Sequence, residues 1–365
     1  MDQEHIIAEL LAFIEADPPS DPAAADAAFE ALALKVFAYQ FQHNAPFAKF
    51  ARARGKTPRT VKRWADIPAV PINAFKSLDL TCRPPEDCVA TFMTSGTTLG
   101  GVRGKSYHAT LSVYDASMRR NFAQRFMGGQ ERMPLGVLFP TPALLPNSSL
   151  AHYLDLARQH FGSPGSRHLI GPDGIDIDGL CQDLERAEAS SAPYGLIGAS
   201  FSLVHALDAL ATRGRRFRLP EGSRILDTGG FKGQSRELEP DAFYDALAMT
   251  FGVPRRRCIN MYGMTELSTQ FYDDGNAACP SVKSGPHWIR ARVVDPLTGQ
   301  SVPDGATGVL AHTDLAHFNI VATILTEDAG IAVDGGFLLL GRAAGAAAAG
   351  CSMAVDAFLK AASAA

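Results

Sequence analysis

The sequence predicts an α/β protein with a helical N-terminal region. Two observations carry that reading: short apolar segments alternate with helical ones from about residue 91 to 285, and the first ninety residues show helical periodicity. A third, the strand-rich pattern after residue 285, adds further sheet beyond the alternating part.

Taken in order, Ile6, Ile7, Leu10, Leu11 and Ile14 recur at helical spacing and predict an amphipathic helix over residues 3–16. The breaker string Pro18-Pro19-Ser20-Asp21-Pro22 separates it from a second helix, predicted from Ala23 to about Gln42. A basic, proline-punctuated stretch then runs through residues 67–71. In the alternating part, a strand at residues 136–139 precedes a helix over 150–161, and 194–197 precedes 201–212. Ile225-Leu226 leads into a helix over 240–251, followed by a strand at 258–261. Candidate strands further on are 309–312, 319–325 and 337–340. The tail is alanine-rich from Ala343, with a short helix predicted from Met353 to Ala362. These elements divide the chain into a helical N-terminal region (residues 1–90) packing on the core, an α/β core (91–340), and a hinge-like mobile tail (341–365).

Apolar residues make up 46% of the 365 and charged residues 20%, the composition of an ordinary globular enzyme. The net charge of -4, with both signs interspersed, gives no electrostatic reason to expect nucleic acid or an anionic membrane as partner. No apolar run is long enough to span a bilayer, and the acidic residues ahead of the first apolar stretch do not suit a signal peptide. Six cysteines without a C-x-x-C pair point to reduced thiols and a cytoplasmic setting, where a special cysteine is catalytic rather than structural.

Four short motifs carry chemistry. Thr94-Ser95-Gly96-Thr97-Thr98-Leu99-Gly100-Gly101, followed by Arg103 and Lys105, strings together small hydroxyl and glycine residues whose N–H and O–H groups can cradle phosphate. It lacks the G-K-[ST] ending of a Walker A loop. Tyr262-Gly263-Met264-Thr265-Glu266 directly follows a predicted strand; its tyrosine can stack on a base, its threonine can bond phosphate, and Glu266 can hold Mg²⁺. Thr326-Glu327-Asp328 ends a predicted strand with a carboxylate suited to a ribose diol, and Gly341-Arg342 closes the next. Taken singly, each is equally an ordinary polar turn. Their fixed order is the stronger signal.

With these motifs the chain resembles the adenylate-forming superfamily of acyl-CoA synthetases, luciferases and peptide-synthetase adenylation domains. Within it the chain is most similar to the acyl-protein synthetases, the ATP-using component of the fatty acid reductase complex of bacterial bioluminescence. Carrying that resemblance are residues 67–71 with Phe75-Lys76, Ser148-Ser149-Leu150, Asp227-Thr228-Gly229-Gly230-Phe231-Lys232-Gly233, Asp314-Leu315-Ala316, residues 326–330, and Gly341-Arg342 leading to Gly350-Cys351-Ser352. Two departures stand out. Leu99 occupies a usual glycine position, with glycines displaced to 100 and 101, and the small C-terminal domain with its catalytic lysine is expected to be absent or truncated.

The resemblance implies the large domain of an adenylate-forming enzyme. Thr94, Ser95, Gly96, Thr97, Thr98, Lys105, Gly229, Gly230, Tyr262, Gly263, Thr265, Glu266, Asp328 and Arg342 would bind MgATP, with Glu266 on the metal. Lys232 is the candidate cation replacing the missing lysine, against the plainer reading of a solvated loop lysine. Cys351 is the candidate acyl acceptor, nine residues past Arg342 in a glycine- and alanine-rich segment. Placed just before the predicted short helix, its thiol would be favoured as thiolate by the helix dipole. The implied reaction converts a carboxylic acid, by family a fatty acid, to acyl-AMP and then to a Cys351 thioester bound for a partner protein such as a reductase. Two alternatives stay open: a ligase delivering the adenylate to CoA or an amine, and a non-catalytic nucleotide-binding scaffold.

Overall fold

The computed structural model describes residues 2–95, 101–231 and 233–363, which form two compact units. The first comprises Met1–Met118, Met264–Thr269 and Ser284–Ala365. Its helices begin where the sequence supplies caps. Asp2 accepts from the His5 N–H at 2.8 Å ahead of Gln3–Glu15, and Asp21 caps Pro22–His43, whose proline takes the first-turn position that needs no donor. The second helix buries Phe29, Leu32, Val36 and Phe37. Buried Gln40 on the same helix donates to the Phe318 carbonyl at 2.9 Å and accepts from the Ala322 N–H at 3.1 Å, tying the helix to a turn of the sheet. A third helix, Ala45–Ala53, follows at once.

That sheet is antiparallel, in the order Gly336–Arg342, Thr323–Val333, Thr307–Asp314, Ile289–Val294, with Val70–Pro71 pairing parallel to Thr323–Val333. The predicted strand at 319–325 is displaced: a 3-10 turn occupies Leu315–His317, and the strand starts at Thr323 and runs to Val333. The Thr326-Glu327-Asp328 motif therefore lies inside a strand instead of ending one. Pairing shifts register just after it, between Ala329 and Gly330, an irregularity that re-aims side chains.

The tail also differs from expectation. One helix spans Gly345–Ser363, starting eight residues before the predicted Met353, because alanine is the best helix former and four of the first seven helical residues are alanine. It packs on Ala45–Ala53, with the Phe50 and Phe358 rings 4.5 Å apart. Cys351 and Ala354 set a face of small side chains against Val294, Val309, Ala311 and Leu325.

The second unit, Arg119–Gly263 with Gln270–Lys283, is a parallel sheet. Its order is Phe271–Tyr272, Cys258–Tyr262, Arg224–Thr228, Gly195–Ala199, Leu135–Leu138, Arg167–His168, with only the first strand antiparallel. Ser149–Phe161, Ile177–Ser190, Ser200–Thr212 and Pro240–Phe251 are its helices. Leu138, Leu196, Leu203, Leu207, Ile225, Phe243, Leu247 and Phe251 pack its core. The predicted helix over 240–251 appears with those bounds, since Pro240 opens it and Gly252, at φ +69°, ends it in the left-handed conformation. No helix among the described residues is long and apolar enough to cross a membrane.

Candidate active site

In the first unit, the phosphate-loop motif joins the hairpin strands Ala90–Met93 and Lys105–His108. Thr94 ties off its base: its N–H donates to the Gly104 carbonyl at 3.0 Å, and its Oγ1 accepts from the Gly104 N–H at 2.9 Å. The Thr94 hydroxyl proton is left to donate elsewhere. A Cβ on Gly104 would sit 3.3 Å from Phe75 Cβ and from Thr94 Cγ2, and 3.5 Å from Glu266 Oε1, so glycine lets the loop close against the carboxylate. Ser95 is exposed, and Lys105 opens the return strand opposite Met93. Gly96, Thr97 and Thr98 lie outside the described residues, as does Lys232.

Glu266 is buried, and that burial pushes its carboxyl up to about 7 against the pull of its own backbone N–H and of the Lys76 and Arg342 charges. Among the described residues no side chain is hydrogen-bonded to it. A buried carboxylate that feels the Lys76, Arg342 and Asp328 charges and has no side-chain donor among the described residues suits a hard divalent cation, since Mg²⁺ commonly takes one or two protein carboxylates plus phosphate oxygens. The residues present fit MgATP on this ground.

The segment bearing Glu266 is firmly held. Ser106 Oγ donates to the Thr265 carbonyl at 2.8 Å. Fully buried Asp314 accepts from the Ser268 and Thr269 N–H groups at 2.8 and 2.7 Å through one oxygen. Its other oxygen accepts from the Thr269 hydroxyl at 2.7 Å and the Ala316 N–H at 3.0 Å. Burial raises the Asp314 carboxyl to about 6 despite these four donors. Trp288 Nε1 donates to Thr269 Oγ1 at 3.1 Å and to Ser117 Oγ at 2.9 Å, and Ser268 Oγ lies 2.9 Å from His317 Nδ1.

Asp328 and Arg342 face each other on neighbouring strands, 3.6 Å apart, and Arg342 also reaches Glu327 at 3.3 Å. Glu327 accepts from Asn73 as well. On the same strand, the Thr326 carbonyl accepts from the Cys351 thiol at 3.7 Å. Cys351 is 3% exposed and lies inside the C-terminal helix, not ahead of it, so the dipole argument for a thiolate does not hold. Burial, with help from Glu327 and Asp328, instead pushes its thiol up to about 11.

In the second unit, Gly229 and Gly230 turn away from the end of the strand Arg224–Thr228 at φ +81° and +64°, which only glycine adopts without strain. Tyr262 ends the neighbouring strand and is buried, its ring 6.1 Å from Phe271; a Cβ on Gly263 would meet Gln270 Cγ at 3.0 Å. Between these strands Asp227 is held by Ser200 (2.9 Å), Tyr244 (3.0 Å) and Asn260 (2.8 Å), and burial raises it to about 6.

The structure thus groups Thr94, Glu266, Asp328, Arg342 and Cys351 in one unit, and Gly229, Gly230, Tyr262 and Gly263 in the other. Motif reading singled out neither Lys76 nor Asp314 as a site residue. Their signal was membership of the stretches Phe75-Lys76 and Asp314-Leu315-Ala316. No cluster of metal-ligating side chains occurs among the described residues. The five other cysteines are buried or half-buried free thiols.

Residues 2–359 match the family model described as acyl-protein synthetase, LuxE. The long-chain-fatty-acid–luciferin-component ligase of Vibrio harveyi is 24% identical over 300 residues, covering 81% of this chain and 76% of the relative. The protein of the same name from Aliivibrio fischeri is 26% identical over 270 residues, covering 73% and 69%. Among solved structures, 2-hydroxyisobutyryl-CoA ligase with 2-HIB-AMP superposes with a TM-score of 0.66 at 15% identity, covering 90% of this chain and 72% of that one. ATP-bound MatB from Rhodopseudomonas palustris gives 0.51 at 17% identity, covering 71% and 49%. The fold is that of the adenylate-forming enzymes.

Proposed function

This chain belongs to the acyl-protein synthetase family, and from that premise we propose that it activates a long-chain fatty acid with ATP and passes the acyl group through Cys351 to a partner protein. One observation carries the reading. The strand that carries Asp328 also holds the Cys351 thiol against its Thr326 carbonyl, so the residue proposed for the ribose and the proposed acceptor share one support.

In the first step a carboxylate oxygen attacks the α-phosphorus of ATP and pyrophosphate leaves. The hydroxyls and N–H groups of Thr94, Ser95, Gly96, Thr97 and Thr98 would hold phosphate oxygens, with Lys105 and Lys232 as the candidate cations. Glu266 would hold Mg²⁺, which neutralises charge on the phosphates when bound. Asp328 would accept from the ribose hydroxyls, with Arg342 beside it. Tyr262, followed by Gly263, would stack on the base, Gly229 and Gly230 would line the nucleotide, and Thr265 would orient phosphate. Catalysis on this reading is mainly positioning and fixed charge.

In the second step the Cys351 thiolate attacks the carbonyl carbon of the mixed anhydride, its proton passes to solvent, and AMP leaves. The docked thiol is a poor nucleophile, so the C-terminal helix must release it first. Burial of Cys351 also favours a second reading, in which the adenylate goes to a diffusible thiol or amine. Intact mass after incubation with MgATP and a panel of acids separates the two. A gain of one acyl group, removed by hydroxylamine and lost in Cys351→Ala, supports acylation of Cys351. Pyrophosphate release without a mass gain moves the acceptor to CoA or an amine.

A further inference from the structure

Between Lys49 and Arg63 the chain carries seven cations, Lys49, Arg52, Arg54, Lys56, Arg59, Lys62 and Arg63, and not one carboxylate. Set against a chain total of -4, these seven leave -11 for everything else, so positive charge is concentrated here. All but Lys56 are exposed, and Lys56 makes the one ion pair that any of them has among the described residues, to Asp66 at 3.9 Å. By contrast, arginines elsewhere are mostly paired, as with Arg167 on Asp183 and Arg236 on Asp208.

The cations sit on ordered backbone. Gly55, at φ +67°, ends the helix Ala45–Ala53, and the Lys56 N–H donates back to the Ala51 carbonyl at 2.9 Å. Thr60 Oγ1 donates to the Gly55 carbonyl at 2.9 Å and accepts from the Thr57 N–H at 2.8 Å, closing a compact turn. Arg54 lies 4.1 Å over the Phe50 ring, and Arg52 lies 4.6 Å over Phe41. Helix C-termini favour cations in their last turn, which accounts for Arg52 and Arg54, but Arg59, Lys62 and Arg63 lie beyond that reach.

The ledge adjoins the helix that carries Cys351. Arg54 lies over Phe50, the Phe50 ring packs tilted against Phe358 at 4.5 Å, and Phe358 lies two turns from Cys351 on the same face. Adding these steps to the rise of seven helical residues puts the nearest cation within about 20 Å of the thiol. The large apolar residues inside the run, Phe50 and Val61, are buried, so it offers neither apolar side chains to a lipid surface nor stacking platforms to single-stranded nucleic acid.

We propose that this ledge is the docking surface for the protein that receives the acyl group, and that this partner presents an acidic face. The inference rests on Cys351 being acylated. Electrostatic complementarity would set encounter rate and orientation at the moment the thioester is offered.

The test compares the full chain with a variant carrying Arg52→Glu, Arg59→Glu, Lys62→Glu and Arg63→Glu. Probes are a fluorescent glutamate-rich peptide ending in cysteine, a lysine-rich control with the same thiol, a DNA duplex, and phosphatidylglycerol vesicles. Pyrophosphate release and self-acylation should match in the two proteins. The acidic peptide should bind the native chain at least about tenfold more tightly than the variant, with the advantage erased by high salt. In acyl transfer the peptide thiolate attacks the acyl carbonyl and the Cys351 thiolate leaves, with no redox partner needed. Transfer to the acidic peptide should exceed transfer to the control in the native chain alone. Equal peptide binding by both proteins overturns the ledge as the surface. Tighter binding of duplex or vesicles than of peptide overturns the acidic-protein partner. If neither protein self-acylates, the proposed function fails, while peptide binding still decides the ledge.

Discussion

Replacing Phe358 by alanine should unlock Cys351. Phe358 is fully buried and is the largest side chain that the C-terminal helix lodges against the body, where its ring lies tilted against Phe50. The rest of the docked face is small, chiefly Cys351 and Ala354, so little else resists undocking. Truncating a buried phenylalanine costs about 3–5 kcal/mol, a shift of at least about a hundredfold in the docking equilibrium. In the docked state the thiol is held near 11 against an ordinary value of 9.0, which by itself lowers the thiolate fraction about a hundredfold at neutral pH. Native Cys351 should therefore react with iodoacetamide at least about a hundredfold more slowly than a free cysteine, and Phe358→Ala should recover most of that factor. Peptide mapping by mass separates Cys351 from the five other thiols. If native Cys351 is alkylated at the rate of a free thiol, the docked helix is not the resting state. If a folded Phe358→Ala protein shows no acceleration, protection comes from something other than the helix.

Raising the pH should also loosen the helix. The docked thiol has the higher pKa, so docking is fully supported below about pH 9, weakens by about 1.4 kcal/mol per unit above it, and stops changing near 11; amide exchange in residues 345–363 should rise across that window. Asp314→Asn keeps only one of the two acceptor oxygens, so whichever way the amide turns two of its four buried donors are left unpaired, and at about 1–3 kcal/mol each it should cut pyrophosphate exchange by roughly a hundredfold and lower Tm, read by activity and calorimetry. Asp328→Asn should raise the KM for ATP by about tenfold or more, while the KM for the acid changes little. Gly104→Ala places a methyl group 3.3 Å from Phe75 and Thr94 and should cost about 1–3 kcal/mol in stability, measured by urea unfolding.

Local chemistry was legible wherever it could be settled within a few residues. Pro240 and Gly252 bracket a helix whose bounds follow from them, and the strand ending in Tyr262 is marked by its own apolar run. The motif order likewise pointed to the family, because phosphate, metal and ribose each demand a particular side-chain chemistry, and the family model matches residues 2–359. Remote partners decided the rest. Glu266 owes its raised carboxyl to burial and feels Lys76, a residue 190 positions earlier, while Asp314 anchors the same segment from 45 positions away. Neither relation leaves a trace in spacing.

Cys351 shows both sides of this limit. Its candidacy as acceptor came from resemblance, and its alanine-rich surroundings read as a flexible arm. Alanine, however, is also the best helix former, so the same residues suit either a swinging segment or a helix. The choice between them falls to Phe358 and Phe50, which lie outside the motif. The docked face consists of small side chains and one large aromatic, so Phe358 is the single residue whose truncation tests whether the helix can be released. If Cys351 is the acceptor proposed above, the iodoacetamide rates of the native and Phe358→Ala proteins measure how far the docked helix hides it.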